Sequence, residues 1–347
     1  MTCRVLLAND NRMTHRVLAY DVRVHDDVHG AGIAHASRSL FEAMQRVSER
    51  FLIRVLPVRS REELKQVKQE AGTRYVGLFA PTGSAWAGEL GPVFPWIHDL
   101  YIMEHPEWFS ESWLRRTWTI RKCVYGIERA DRVFAVSAYT RMQVARLTNA
   151  SADRIIVTSE GVDDCMGDML SPADKHACLY ALALGTVEPR KNLEWLCDTW
   201  IRAMRAYRLS VPLVIAGQAG WGGVRLPNHP LIQRREHVND QQRIGLLKQA
   251  WMVLTPSLGE GFGRVPLEAW ACGTPALVSA CGALPETVPD SACVAPLDPR
   301  VWESRIAELI TRTDDAYLLL ASKGKYWAEQ FTWEKTATTI LAEFENS

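Results

Sequence analysis

Two doubly wound α/β domains facing each other across a cleft are the architecture this sequence predicts. Three observations carry that expectation. Short apolar, β-branched runs alternate with longer helical patterns along the chain, as a parallel sheet with crossover helices requires. The alternation runs through once, breaks at a polar stretch, and runs through again. The length, 347 residues, is enough for two domains that each bury a core.

In the first half, strands are expected at Cys3–Ala8, Phe51–Leu56, Tyr75–Phe79, Val93–Ile97, Arg132–Val136 and Arg154–Thr158, with helices over Ile33–Val47, Ser112–Ala130 and Ala138–Leu147. In the second half the strand candidates are Leu179–Gly185, Pro212–Gly217, Trp251–Thr255, Pro275–Ser279 and Ala292–Pro296. The break is DDCMGDMLSPADKH, Asp163–His176, polar and carrying Gly, Ser and Pro, which reads as a linker. It divides the chain into domains at 1–168 and 169–332. The last helical pattern, Trp333 to Phe344, can belong to either, so the stretch from about 333 to 347 can pack back on the first domain. Sheets of this kind bind ligands beyond the carboxyl ends of their strands.

Composition narrows the function. Lys and Arg total 40 against 40 Asp and Glu, and that balance argues against nucleic acid as a partner, which wants a basic face. The opening MTCRVLLANDNR has too short an apolar run for a secretory signal, and no stretch approaches membrane-spanning length, so a cytoplasmic protein is expected. The eight cysteines include no C-x-x-C pair; they read as buried, reduced thiols rather than metal ligands.

Two stretches carry chemistry. In EGFGRVPLEAWACG, Glu260–Gly273, a loop runs into a helix that begins near Gly263 or Arg264, with Pro266 tolerated in the first turn. A helix start offers backbone N–H groups and a positive dipole end, a ready phosphate site, and Gly261 and Gly263 let a ligand approach the backbone. Glu268, about one turn in, can accept from a ribose diol, while Glu260 can reach hydroxyls beyond the phosphates. The spacing fits a nucleotide sugar; the plainer reading is a dipole-favoured Glu and a surface acid. In LGTVEPRKNLEWL, Leu184–Leu196, Arg190 and Lys191 arrive just before a helix, where the dipole disfavours cations. A shared anion would justify both, since Arg offers a fork and Lys a point charge; two solvated surface cations are the alternative.

GTVEPRKNL followed by PSLGEGFGRVPLEAWACGTPALVSACGALPETV resembles the donor half of the family 4 retaining glycosyltransferases of the GT-B fold, whose signature is the Glu-x7-Glu spacing of Glu260 and Glu268. HGAGIAHASRSL, FPWIHDLYIMEHPE, ADRVFAVSAYTRMQVARL, EGVDD and LVIAGQAGW extend the resemblance over nearly the whole chain. It implies two Rossmann-like domains, the first on the acceptor side and the second binding a nucleotide sugar. Residue by residue, it implies that Arg190 and Lys191 hold the diphosphate, and that Glu268 binds the ribose. Glu260 contacts the transferred sugar, helped by backbone around Gly261, Phe262 and Gly263. Gly30 and Gly32 bring a loop backbone against the donor, and His98 lies near the reacting sugar. Where many relatives carry a basic residue after the glycine this chain has Thr186, which leaves more to Arg190. Taken without the family, His98 with Asp99 is a strand end and a structural histidine.

The resemblance implies hexose transfer with retention to a glycan or lipid-linked hydroxyl, with no cofactor or metal. GDP-mannose is the expected donor, because the GTVEPRKN form is similar to mannosyltransferases of polysaccharide and lipopolysaccharide assembly, and a UDP-sugar is the alternative. The base pocket is expected around Arg235–Asn239. A non-catalytic nucleotide-sugar-binding partner subunit is the reading from another class, and a DNA-modifying glucosyltransferase is disfavoured by the charge balance. AGQAGWGG, Ala216–Gly223, does not match G-x-G-x-x-G, so it is not read as a dinucleotide site; Asp163-Asp164 is not read as a metal pair. Finally, Ser112–Arg132 mixes Trp113, Leu114, Trp118, Val124 and Tyr125 with Arg115, Arg116, Arg121, Lys122 and Arg129. It reads first as a stripe with core on one side and water on the other, although a basic amphipathic helix can also lie peripherally on anionic lipid. Oligomeric state leaves no trace in the sequence.

Overall fold

A computed structural model of the chain describes residues 15–26, 31–83, 91–110, 112–162, 168–176 and 179–345. The described residues fall into two compact units, one within Met1–Met103, Glu111–Gly161 and Thr332–Ser347, the other within Glu104–Ser110 and Val162–Phe331. The chain thus passes from one unit to the other at 161/162, upstream of the polar stretch, whose described part includes a short helix, Pro172–His176.

The first unit holds six described strands: β1 (Arg16–Asp21), β2 (Ile53–Val58), β3 (Tyr75–Ala80), β4 (Val93–Ile97), β5 (Val133–Ala135) and β6 (Ile155–Val157). They pair in parallel in the order β2-β1-β3-β4-β5-β6. Val17, Leu18, Ala19 and Tyr20 of β1 are fully buried, the continuous apolar run of a strand covered on both faces. The last helix, Trp333–Ala342, lies in this unit and packs on helix Ala31–Val47. Arg16 clasps the carbonyl of Phe344, and the Phe344 ring meets Phe94 edge-on at 4.6 Å.

The second unit holds β7 (Ala181–Leu184), β8 (Leu213–Ala216), β9 (Ile232–Arg235), β10 (Met252–Thr255), β11 (Ala276–Ser279) and β12 (Val294–Ala295), ordered β12-β11-β10-β7-β8-β9 and parallel throughout. The strand order reverses between β7 and β10, and that reversal is where a doubly wound sheet opens a crevice for ligands. Trp200, Trp251, Trp270 and Trp302 are fully buried around this sheet. Trp200 and Trp251 donate their indole N–H to the Val211 and Leu309 carbonyls, so the polar handle of each is satisfied inside the core.

Two strands differ from expectation. The first described strand, RVLAYD, was not expected; the expected Cys3–Ala8 strand lies outside the described residues. β9, IQRR, was not expected: it is the sheet edge, its last three residues are exposed, and an edge strand of charged residues shows no apolar alternation. A third correction concerns helix Trp113–Arg129. Trp113, Leu114, Trp118 and Tyr125 are exposed, so the large apolar side chains lie on the water side, while Gly126 and Ile127 face the core. Lys122 Nζ sits 3.3 Å above the Trp118 ring and the Arg129 guanidinium 4.1 Å above Tyr125, cation–π pairs built on an open helix face.

Candidate active site

The loops leaving β7 and β10 flank the reversal of the second sheet, and both expected stretches lie on them. After β7 the chain turns at Gly185 and runs against the loop after β8. A Cβ at Gly217 would stand 2.1 Å from the Gly185 carbonyl oxygen. Val187 N donates to Gln218 O at 2.9 Å and Gly220 N to Val187 O at 3.1 Å. Gly217 and Gly220 of AGQAGWGG therefore serve close backbone packing.

One turn of 3-10 helix, Pro189–Lys191, followed by left-handed Asn192 (φ 56°), leads into helix Leu193–Ala206. Asn192 Nδ2 donates to Pro256 O, and Leu258 N donates to Arg190 O at 2.8 Å, which ties this turn to the loop after β10. Arg190 Nη1 donates to Gly259 O at 2.9 Å and to Glu260 Oε2 at 2.5 Å, and its Nη2 to Glu188 Oε1 at 2.8 Å. Lys191 Nζ and Ser257 Oγ each donate to Glu260 Oε1 at 2.7 Å. The anion that justifies the adjacent cations is thus, in this structure, the carboxylate of Glu260. Burial is the largest single influence on that carboxyl and pushes it up. The Arg190 and Lys191 charges, with hydrogen bonds from Lys191 and Ser257, outweigh burial and hold it down at about 2.

Gly263, at φ 96°, is the N-cap of helix Arg264–Ala271, a left-handed position that favours glycine. Pro266 falls in the first turn, and Phe262 is buried. Glu268 sits one turn in and is buried, bridged by Arg243 at Oε2 and approached by Arg264 Nε at 3.0 Å on Oε1. That second approach is a charge contact without hydrogen-bond alignment, since Oε1 has no hydrogen-bond donor among the described residues. Arg243 is carried on helix Asp240–Gln249, whose start is fixed by a reciprocal cap between Asn239 and Gln242.

The structure therefore brings Arg190, Lys191 and Glu260 into direct contact, with Gly261, Phe262 and Gly263 continuing the same loop and Glu268 on the helix it leads into. His98 belongs to the first unit, just beyond β4. Its Nδ1 lies 2.9 Å from Glu160 Oε1 and its Nε2 3.0 Å from Pro81 O. Gly32 lies in the first turn of helix Ala31–Val47; Gly30, and the Asp163-Asp164 pair, lie outside the described residues. Among the described residues no group of three or more His, Cys, Asp or Glu is placed to hold a metal, and no helix is long and apolar enough to cross a membrane. Sequence reasoning missed Glu188, Ser257, Arg243, Arg264 and Glu160. Of these only Arg264 left a plain signal, its i,i+4 spacing to Glu268.

Comparison with known proteins places this arrangement. Residues 178–312, which contain Arg190, Lys191, Glu260 and Glu268, match the family model described as Glycosyl transferases group 1. O-antigen chain mannosyltransferase B of Escherichia coli is 31% identical over 272 residues, 72% of this chain and 69% of that protein. D-inositol 3-phosphate glycosyltransferase of Segniliparus rotundus is 29% identical over 244 residues, 63% of this chain and 53% of that protein, so the chain spans about half the length of that relative. Among solved structures, Anabaena HepE in complex with UDP-glucose superposes with a TM-score of 0.71 at 18% identity, covering 96% of this chain and all of that one. On the mannosyltransferase match, the family model and the paired parallel sheets, the chain belongs to the group 1 glycosyl transferases, family 4-like enzymes of the GT-B fold.

Proposed function

We propose that this chain is a retaining, metal-independent hexosyltransferase that carries mannose from GDP-mannose to a hydroxyl of a glycan or lipid-linked acceptor. The observation that carries the proposal is the sharing of one carboxylate, Glu260, by Arg190 and Lys191 beside the helix start at Gly263. A donor diphosphate replaces the carboxylate on the two cations and takes backbone N–H groups around Gly263. Glu260, released, turns to the hydroxyls of the sugar. Glu268 Oε1, buried without an aligned donor, has the capacity to accept from the ribose. From the resemblance, Gly32 and His98 are assigned to the same donor.

In the transfer, the bond between the anomeric carbon and the diphosphate oxygen breaks, and the electron pair leaves with the diphosphate, where Arg190, Lys191 and the helix dipole stabilise it. The acceptor oxygen bonds to the same carbon from the same face, and its proton goes to a diphosphate oxygen. Charge on the leaving group is met by protein cations, so the reading needs no metal. The mannosyltransferase relative supports mannose as the sugar, with GDP as the nucleotide that the resemblance implies; the UDP-glucose bound to a fold neighbour keeps a UDP-sugar as the alternative donor. The test is transfer and slow donor hydrolysis with GDP-mannose and UDP-sugars in chelator, with the product anomer read by NMR. Retention with GDP-mannose is expected. An inverted product overturns the stereochemistry, and nucleotide binding without transfer or hydrolysis indicates a non-catalytic partner subunit.

A second reading concerns where the acceptor is met. The exposed aromatic and cationic face of helix Trp113–Arg129 suits the surface of an anionic membrane, aromatic rings at headgroup depth and cations on the phosphates. Vesicles of anionic lipid are expected to retain the parent chain and to release Trp118→Ala; equal retention on neutral vesicles contradicts it.

A further inference from the structure

His98 is held at both ring nitrogens. Nδ1 meets Glu160 Oε1 at 2.9 Å, Nε2 meets the Pro81 carbonyl at 3.0 Å, and the His98 carbonyl accepts from Thr140 Oγ1 at 3.1 Å. The side chains are nearly enclosed, 13% exposed for His98 and 8% for Glu160. Two residues back on each segment, Trp96 Nε1 donates to Thr158 Oγ1 at 3.0 Å. The Trp96 ring lies edge-on to His98 at 4.6 Å. Since β5 lies between β4 and β6, both links reach over a strand and brace the carboxyl end of the first sheet. The neighbouring acid, Asp99, directs its Oδ1 to the Tyr101 N–H, and helix Ala138–Leu147 offers Thr140 to the backbone rather than to the ring.

Donor and acceptor roles follow from the partners. A carbonyl oxygen only accepts, so Nε2 carries a proton; a carboxylate only accepts, so Nδ1 carries one as well. In its ionised form Glu160 accepts from Nδ1 in a charge-assisted bond. The geometry points to Glu160 as a positioning residue that fixes His98 as a doubly protonated donor, a ring that cannot take the proton of the acceptor hydroxyl. This rests on the reading that His98 meets the sugar. It deepens that reading by making His98 a fixed positive group and leaving the diphosphate as the proton's destination.

The test uses the full chain labelled with 15N-histidine. The nine histidines are sorted by the signal lost in His98→Asn. At pH 7.5 both His98 ring nitrogens are expected in the protonated range; one protonated and one bare nitrogen overturns the proposal whether or not any variant folds. In Glu160→Gln the amide can donate to Nδ1, so the ring becomes a neutral single tautomer. Turnover then falls about 10–100-fold, the scale for losing an outer partner that orients a functional histidine, while KM for the donor changes little. Unchanged nitrogen signals together with parent turnover in Glu160→Gln also overturn it. If the parent chain transfers no sugar, the functional reading fails while the nitrogen signals still decide the hold of Glu160 on the ring.

Discussion

The carboxyl ends of the two sheets are furnished differently. Beyond β4 and β6 of the first sheet, one imidazole is fixed by a carboxylate, a backbone carbonyl and a cross-strand Trp–Thr bond. Beyond β7 and β10 of the second, two cations and two carboxylates, Arg190, Lys191, Glu188 and Glu260, satisfy one another. The first arrangement fixes a direction, since neither ring nitrogen can move without losing a bond. The second fixes a charge balance whose members can change partners, because an incoming anion can take the place of Glu260 without leaving any cation unpaired. Burying ions is costly unless they are paired, so a site that must accept a diphosphate gains from carrying a substitute anion of its own.

Breaking the second arrangement has the largest expected effect. Lys191→Ala removes the cation on Glu260 Oε1 and should lower turnover at least ~100-fold, the scale of losing one charge-stabilising donor; near-parent turnover at saturating donor excludes that role. Next comes the acid limb of stability. The Glu260 carboxyl titrates at about 2 rather than its ordinary 4.5, so between those values the unfolded chain binds more protons than the folded one. Stability present above about pH 4.5 is therefore lost as pH falls toward 2, by roughly 3 kcal/mol. Glu260→Gln should be less stable than the parent at pH 7 and approach it by pH 3; parallel unfolding curves at both pH values contradict the pairing.

A smaller effect sharpens the comparison with a cation that has no carboxylate partner among the described residues. Lys175 is buried, donating to Ala250 O at 2.9 Å and Thr274 Oγ1 at 2.7 Å, and burial pushes it down to about 7. Between there and its ordinary 10.5 the unfolded chain binds the extra proton, so stability rises with pH across that window and the cost of burying the charge is full below it. Lys175→Met should abolish that rise, measured as the difference in denaturant midpoint from the parent at pH 7 and pH 10. An unchanged difference contradicts it.

Much of the second unit was legible in the sequence. Runs such as ALAL and MVLT end at glycine or proline before a helical pattern, and eight residues from Glu260 to Glu268 place one acid on the loop and one a turn into the helix. The partnerships were not legible. Arg190 and Glu260 stand 70 residues apart and meet because the crossover sets β7 beside β10, a neighbour relation that periodicity does not encode. For the same reason Glu160 gave no sign of reaching His98 over β5. Arg264 was visible at i,i+4 to Glu268, yet the helix start drew the reading toward phosphate. The exposed aromatics of helix Trp113–Arg129 were misread because composition alone does not say which face of a mixed helix meets water.

The central claim is that Glu260 stands where a diphosphate goes. Titration calorimetry of GDP, or of UDP if it binds better, against the parent, Glu260→Gln and Lys191→Ala tests it most directly. Removing the competing carboxylate charge should tighten the nucleotide about 10-fold, equivalent to ~1.4 kcal/mol, while Lys191→Ala weakens it. A Glu260→Gln chain that binds the nucleotide no more tightly than the parent, or a Lys191→Ala chain that binds it equally well, contradicts the account.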